Sequence, residues 1–151
     1  MNDNKKYLAL DYGEKRVGIA VSDESKKYSF ARDYLINDNS FQEKLIHLIT
    51  EEQTSKIIIG YPLNFKSEKT IQTLKTEEFK SRLEKLLTDK SITAEIIFFD
   101  EIFTSKLAEN RIMNSGMKKK KRQEKGLVDS ESAQIILQDY IDRTKNLNIY
   151  S

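Results

Sequence analysis

The amino-acid sequence predicts an α/β domain with a mixed five-stranded sheet, in which an antiparallel meander is followed by parallel strands and helices flank the sheet. Two observations predict this class. Short apolar runs and period-two alternation fill the first third of the chain, and helical spacing then alternates with further apolar runs. The predicted element order is βββαβαβαα, and a chain of 151 residues is long enough for one core. We therefore expect a single domain over residues 1–151.

The first three strands follow one another through short turns. Residues 7–11 form a short buried run that ends on a carboxylate, and residues 13–16 form a turn. Residues 17–22 alternate between apolar and small side chains, the pattern of a second strand. Residues 28–35 predict a third strand. Short connections between the three indicate an antiparallel meander.

Helices separate the later strands. Ser40 is the predicted N-cap of a first helix, the β-branched run 57–59 predicts a central strand, and residues 95–99 predict a last strand. A long helix between these two strands carries one apolar stripe: Ile71, Leu74, Phe79, Leu83, Leu86 and Leu87.

Two more helices are predicted after the last strand. One begins at Thr104 and ends at Gly116, and a final amphipathic helix begins near Asp129 or Ser130. A meander followed by α/β crossovers is the order of an RNase H-like fold, whereas a Rossmann domain alternates strictly between strand and helix.

The composition excludes several kinds of site. The chain has no cysteine and one histidine, which rules out disulfides, thiolate zinc sites, a cysteine nucleophile and multi-histidine metal sites. We interpret His47, on a predicted amphipathic helix, as structural. Any chemistry must therefore come from carboxylates, hydroxyls, lysine, arginine and bound metal.

The charge is concentrated in one segment. Residues 118–125 carry six basic side chains and one acidic one, while the whole chain has a net charge of only +2. This predicts a local contact with an anion.

No apolar run approaches the roughly 18 residues that span a membrane, and residues 1–6 lack a signal-peptide pattern. We therefore expect a cytoplasmic protein without membrane contact.

Three acidic residues stand at the ends of predicted elements. Asp11 closes the first strand, Glu101 closes the last strand, and Asp129 opens the final helix. Each alone is better explained as an ordinary residue: Asp11 in a turn, Glu101 as a solvated side chain and Asp129 as a helix N-cap. Together they predict a cluster that binds Mg²⁺ or Mn²⁺ and cleaves phosphodiesters, because two hard divalent ions can activate a water and stabilise the leaving oxygen.

Basic side chains near these acids predict phosphate contacts. Lys15 and Arg16 lie in or beside the first turn, which is equally explained as a plain hairpin turn. The segment Gly60-Tyr61-Pro62 either admits a nucleic-acid backbone or simply ends its strand. The remaining candidates for phosphate binding are Lys118, Lys119, Lys120, Lys121 and Arg122.

The sequence of residues 8–23, LALDYGEKRVGIAVSD, resembles the opening hairpin of the YqgF/RuvX family. Further similar segments follow in the same order over essentially the whole chain: Ile59 to Asn64, Phe79 with Leu83, Phe99 to Glu101 with Thr104, the basic segment, and Asp129 to Gln138. The resemblance implies an RNase H-like protein similar to Holliday junction resolvases, in a group described as pre-16S rRNA nucleases. It also implies that Asp11, Glu101 and Asp129 are the catalytic carboxylates.

Two positions depart from the family's pattern. Ile102 replaces the arginine that usually follows the strand-end Asp-Glu pair, which removes a positive charge beside the expected site. The glycine that usually occurs near Lys66 and Ser67 is also absent, which affects loop geometry.

The leading functional hypothesis is a divalent-metal-dependent nuclease that acts in 5′-end processing of pre-16S rRNA or on branched DNA. One alternative is an actin-like ATPase, since Asp11-x-Gly13 also resembles a phosphate loop, although such proteins enclose the nucleotide between two domains. The other is a non-catalytic nucleic-acid-binding or ribosome-assembly factor, a reading that Ile102 supports. We expect a monomer or weak homodimer, because no apolar stripe is left over in the sequence.

Overall fold

The computed structural model describes residues 5–64, 66–100 and 125–149, with side chains described up to residue 145 except at 125–129. None of the helices in these ranges is long and apolar enough to cross a membrane. The elements are β1 (Lys6–Tyr12), β2 (Arg16–Ser22), β3 (Ser29–Ile36), α1 (Phe41–Glu51), β4 (Thr54–Tyr61), α2 (Ile71–Asp89), β5 (Glu95–Asp100) and α3 (Lys125–Ile149).

The five strands form one mixed sheet in the order β3-β2-β1-β4-β5. Strands β1, β2 and β3 pair antiparallel, and β4 pairs parallel with both β1 and β5. This topology confirms the predicted RNase H-like arrangement of a meander followed by parallel strands. The helix predicted between Thr104 and Gly116 lies outside the described residues.

Strand β1 lies at the centre of the sheet and sends alternate side chains into two cores. Leu8 and Leu10 belong to the core covered by α1 and α2, whereas Ala9 belongs to the core covered by α3. All three are fully buried. On the α3 side Ala20 and Ala133 are also buried, and these small side chains let the helix approach the strands closely.

Helix α3 runs antiparallel to β1. The Ser29 N–H, at the start of β3, donates to Gln138 Oε1 (2.9 Å), and Ser29 Oγ donates to the Gln134 carbonyl (2.8 Å). Tyr140 makes an edge contact with Tyr7 at the start of β1, with 5.8 Å between ring centroids. Because these later turns lie at the amino end of β1, the earlier turns of α3 approach its carboxyl end.

The edge strand β3 leaves large apolar side chains in solvent. Tyr28 beside the strand, and Phe30, Tyr34 and Ile36 within it, are all exposed. The inference that no apolar stripe is left over is therefore wrong. The oligomeric state itself stays a prediction.

The first turns of α2 differ from the predicted stripe. Ile71 is 75% exposed and Leu74 is 54% exposed, while Thr73 and Thr76 are fully buried. Thr73 forms a capping box with the N-cap Thr70 and also donates to the Pro62 carbonyl, so hydroxyls satisfy the backbone groups at this end. The apolar stripe faces the core only from Phe79 onward.

The start of α1 also differs in detail from the prediction. Ser40 occupies the N-cap position, but its backbone is helical and its side chain caps no N–H group. Instead Asp38 Oδ1 accepts from the Ser40 N–H (2.9 Å) and from Ser40 Oγ (2.7 Å). The N-cap position predicted for Ser40 is therefore confirmed, but its side chain does not make the expected capping hydrogen bond.

A buried carboxylate ties three elements together at the amino end of the sheet. Glu52, directly after α1, accepts from Lys6 Nζ (2.8 Å) in β1 and from Arg32 Nη1 (2.6 Å) in β3. The hydrogen bond from Lys6 lowers the pKa of the Glu52 carboxyl, against the opposing effect of burial, and Arg32 lowers it further.

The exposure pattern of α2 predicts unequal effects for the same substitution. We expect Leu83→Ala to lower the free energy of unfolding by about 2–5 kcal/mol, because Leu83 is 2% exposed and leaves a cavity. Leu74→Ala should change it by less than about 0.5 kcal/mol. Urea denaturation measures both values, and equal losses would contradict the observed helix orientation.

The Glu52 contacts predict a pH-dependent loss of stability. Glu52→Gln should lower the free energy of unfolding by about 1 kcal/mol at pH 7, since the pair is partly exposed. A carboxyl whose pKa is lowered by folding stabilises the fold above its unfolded pKa, and this contribution disappears as the pH falls through the folded pKa. The difference between variant and wild type should therefore shrink below about pH 4. Glu51→Gln, at an exposed side chain, is the control.

Candidate functional site

The candidate site lies at the carboxyl ends of β1, β4 and β5, on the face covered by α3. Leu10 pairs with Ile59, so Asp11 and Gly60 come next on neighbouring strands, and Gly60 pairs with Phe99. Asp11 is half-buried. Residue 60 is a glycine, so β4 contributes no side chain beside Asp11 on this face.

The turn after Asp11 is held from two sides. Asn37 donates through Nδ2 to the Gly13 carbonyl (2.9 Å) and through its N–H to the Lys15 carbonyl (2.9 Å). Gln72, in the first turn of α2, donates to the Tyr12 carbonyl (2.7 Å). These bonds fix the end of β1, and with it the backbone that carries Asp11. Neither Asn37 nor Gln72 was identified from the sequence, because contacts over 24 and 60 positions leave no local pattern.

Gly13 is required by a close backbone approach. A Cβ atom added at this residue would lie 2.4 Å from the carbonyl oxygen of Arg16. The turn therefore folds back on itself more tightly than any other residue allows. It leaves Lys15 exposed and Arg16 half-buried at the first position of β2.

Helix α3 begins four residues earlier than predicted. It starts at Lys125, so Asp129 lies in its second turn and does not open the helix. Gly126 costs only about 1 kcal/mol in a helix and does not end one by itself. Position 129 precedes Ala133, which packs against Ala9 and Ala20, by one helical turn.

The other predicted site residues lie outside the described residues. These are Glu101, Lys118, Lys119, Lys120, Lys121 and Arg122. Among the residues that are described, no group of three or more carboxylate or histidine side chains could hold a metal ion. The convergence of Asp11, Glu101 and Asp129 therefore stays a prediction.

The structure also shows the contacts of Tyr61 and His47, two residues discussed in the sequence analysis. Tyr61 donates to Glu77 Oε2 (3.2 Å) and packs against Phe98, so the last residue of β4 contacts both α2 and β5. His47 lies on the exposed side of α1, with its Nε2 atom 3.2 Å from a carboxylate oxygen of Glu51.

Comparison with known proteins identifies the family. Residues 5–143 match the family model described as "RuvX: Holliday junction resolvase". A protein of Sulfurihydrogenibium sp., named "Putative pre-16S rRNA nuclease", is 43% identical over 136 residues, which cover 90% of this chain and 89% of the relative. A protein of Flavobacterium psychrophilum with the same name is 38% identical, over 90% of this chain and 96% of its own. The chain belongs to the RuvX family.

Solved structures with little sequence similarity share the fold. Fowlpox virus resolvase, in complex with Holliday junction DNA, has a TM-score of 0.59 and 9% identity, and the match covers 92% of this chain and 98% of the resolvase. T. thermophilus RuvC with its Holliday junction substrate has a TM-score of 0.55 and 8% identity, over 93% and 96% of the two chains. At such low identity the likeness supports the RNase H-like fold alone. The family, by contrast, supports a nuclease.

The tight turn predicts a strong effect at Gly13. We expect Gly13→Ala to lower the free energy of unfolding by about 1–3 kcal/mol, because the added methyl group collides with backbone rather than with a flexible side chain. Thermal or urea denaturation measures the loss. Glu14→Ala, at the adjacent exposed residue, is the control, and equal stabilities of the two variants would contradict the close approach.

Proposed function

We propose that this protein is a divalent-metal-dependent nuclease that acts in the cytoplasm on structured RNA, in 5′-end processing of pre-16S rRNA, with Asp11, Glu101 and Asp129 as catalytic carboxylates. The observation that carries the proposal is the position of Asp11. It lies next to the last residue of the central strand and beside a glycine of β4, on the face that the early turns of α3 approach. The names of the related proteins support the choice of RNA substrate.

The periodicity of the described elements supports the convergence of the three acids. Phe99 contributes to the α3-side core, so we expect position 101, two residues further along the chain, to share the face of Asp11 by the alternation of an extended strand. On α3, position 129 shares the stripe of Ala133, Ile136 and Tyr140, all of which are buried against the sheet. We therefore expect both acids near Asp11.

The donor chemistry of this set fits a hard divalent cation. Three carboxylates offer only oxygen ligands, which Mg²⁺ and Mn²⁺ prefer. When bound, such ions supply an activated water and stabilise the charge that develops on the phosphate and its leaving oxygen. The chain itself fixes the backbone that carries Asp11 through the turn held by Asn37 and Gln72.

Basic side chains complete the proposed site. Lys15 is exposed on the turn directly after Asp11, where it can contact a phosphate of the bound strand. Arg16 and residues 118–122 are assigned the same role, with each contact releasing a counterion from the nucleic acid. Ile102 replaces the arginine that is usual in the family at this position, so we assign the phosphate contacts to these other basic residues.

Substitution of Asp11 tests the proposal. Asp11→Asn should reduce the rate of cleavage of a precursor rRNA in Mg²⁺ by at least about 10³-fold, equivalent to about 4 kcal/mol, because it removes a metal-binding carboxylate oxygen. Circular dichroism and thermal denaturation should show an intact fold. A four-way DNA junction, assayed in parallel, distinguishes the RNA and DNA substrates.

Asp33→Asn, at an exposed position of β3, is the matched control and should cleave normally. Cleavage by Asp11→Asn at the wild-type rate would contradict the catalytic assignment. RNA binding without cleavage by the wild type, in either Mg²⁺ or Mn²⁺, would identify the protein as the non-catalytic assembly factor instead.

A further inference from the structure

A cavity of about 320 Å³ lies on the face of the sheet opposite Asp11. It opens between the carboxyl end of β1, the start of α1 and the middle of α2. Its volume is at the lower end of the range of about 300–1,000 Å³ that is typical of small-molecule sites. Because neighbouring residues of a strand face opposite sides, Tyr12 lines this cavity while Asp11 faces α3.

One wall of the cavity is aromatic. The rings of Tyr12 and Phe79 are stacked, with 4.1 Å between centroids and 12° between planes, and Phe41 packs against Phe79 at 5.9 Å. Phe41 and Phe79 are almost fully buried, whereas Tyr12 is half-buried. A flat ring that enters the cavity can therefore lie against the accessible Tyr12 ring, which is held in place by its stacking on Phe79.

The rim carries polar groups with unused hydrogen-bonding capacity. Asn39 and Gln42 are exposed, and their side-chain amides make no hydrogen bond within the described part of the chain. Arg82 Nη2 donates to the Tyr12 hydroxyl (3.1 Å), and this guanidinium forms no ion pair with any described carboxylate. Four of its five N–H donors therefore remain for a ligand.

We propose that this cavity binds one unpaired nucleobase, stacked on the aromatic wall and contacted at its edge by Asn39 and Gln42, with a neighbouring phosphate on Arg82. Amide side chains offer both a donor and an acceptor, as base edges require, and an arginine that forms no ion pair within the described residues suits a phosphate. The lining also includes Asp38, next to Asn39 in the sequence, whose carboxylate disfavours an anion nearby and can accept from base N–H groups. The phosphate is thereby directed to the Arg82 side.

The position of the cavity connects it to the proposed nuclease site. Residues 13–15 form the edge between the two faces, and Lys15 is exposed there. A single strand that crosses this turn can place a phosphate at Asp11 and a base against Tyr12. The inference that the base belongs to the substrate strand rests on the proposed function, whereas a free nucleotide would present the same chemistry.

Binding measurements without metal test the inference independently of cleavage. A single-stranded RNA with 2-aminopurine scanned along its length, in EDTA, should show fluorescence quenching by stacking at one position. An abasic substitution at that position should weaken binding about 5- to 100-fold, the range for loss of one stacked base. Arg82→Gln should weaken binding about 10-fold. Gln42→Ala and Asn39→Ala should reduce the quenching without affecting the fold, since both side chains are exposed.

Lys85→Gln is the matched control, because it removes the same charge from an exposed position of α2 outside the cavity. An equal loss of affinity in Lys85→Gln and Arg82→Gln would overturn the inference, as would an abasic scan without a sensitive position if mononucleotides also leave the side-chain amide shifts of Asn39 and Gln42 unchanged. A different outcome is that mononucleotides change the NMR shifts of the Asn39 and Gln42 side-chain amides while the abasic scan shows no sensitive position. That result would overturn the assignment of the base to the substrate strand and identify a free nucleotide as the ligand. A failure of Asp11→Asn to abolish cleavage would leave these metal-free results unchanged.

Discussion

The burial of the middle of β1, Leu8 to Leu10, on both faces of the sheet is the constraint on which the rest of the structure depends. This strand pairs on both edges, antiparallel with β2 and parallel with β4, and is covered by helices on both faces. A shift of its register by one residue would exchange Leu8 and Leu10 with Ala9 between two cores of different depth. Large side chains would then meet α3 where only small ones fit.

The same register determines which chemistry appears on each face. Since alternation continues to the end of β1, Asp11 faces α3 and Tyr12 faces α1 and α2. The turn that follows is closed by the backbone approach at Gly13 and by bonds from Asn37 and Gln72. Asn37 and Gln72, which are distant from β1 in the sequence, therefore hold the backbone that carries the adjacent residues Asp11 and Tyr12.

The sequence predicted the sheet well because its signals are local. Period-two alternation and the β-branched run 57–59 determine which segments are strands, and the short connections determine the meander. Prediction from the sequence was wrong where a contact between distant residues determines which side chain is buried. Leu74 has helical spacing, yet the Pro62 carbonyl requires a hydroxyl near the start of α2, so Thr73 is buried in its place.

The candidate site was predictable in part for the same reason. Asp11 at a strand end is a local signal, whereas the cavity on the other face joins Tyr12, Gln42 and Arg82 from three separate elements. A cleaving nuclease has two unlike tasks, because a phosphate requires oxygen ligands for metal while a base requires a dry aromatic surface. Carboxylates placed inside an aromatic cavity would lose solvation, and metals would compete with stacking. Asp11 and Tyr12 are adjacent in β1 and face opposite sides of the sheet. The proposed metal site and the proposed base site are therefore separated by the thickness of one sheet.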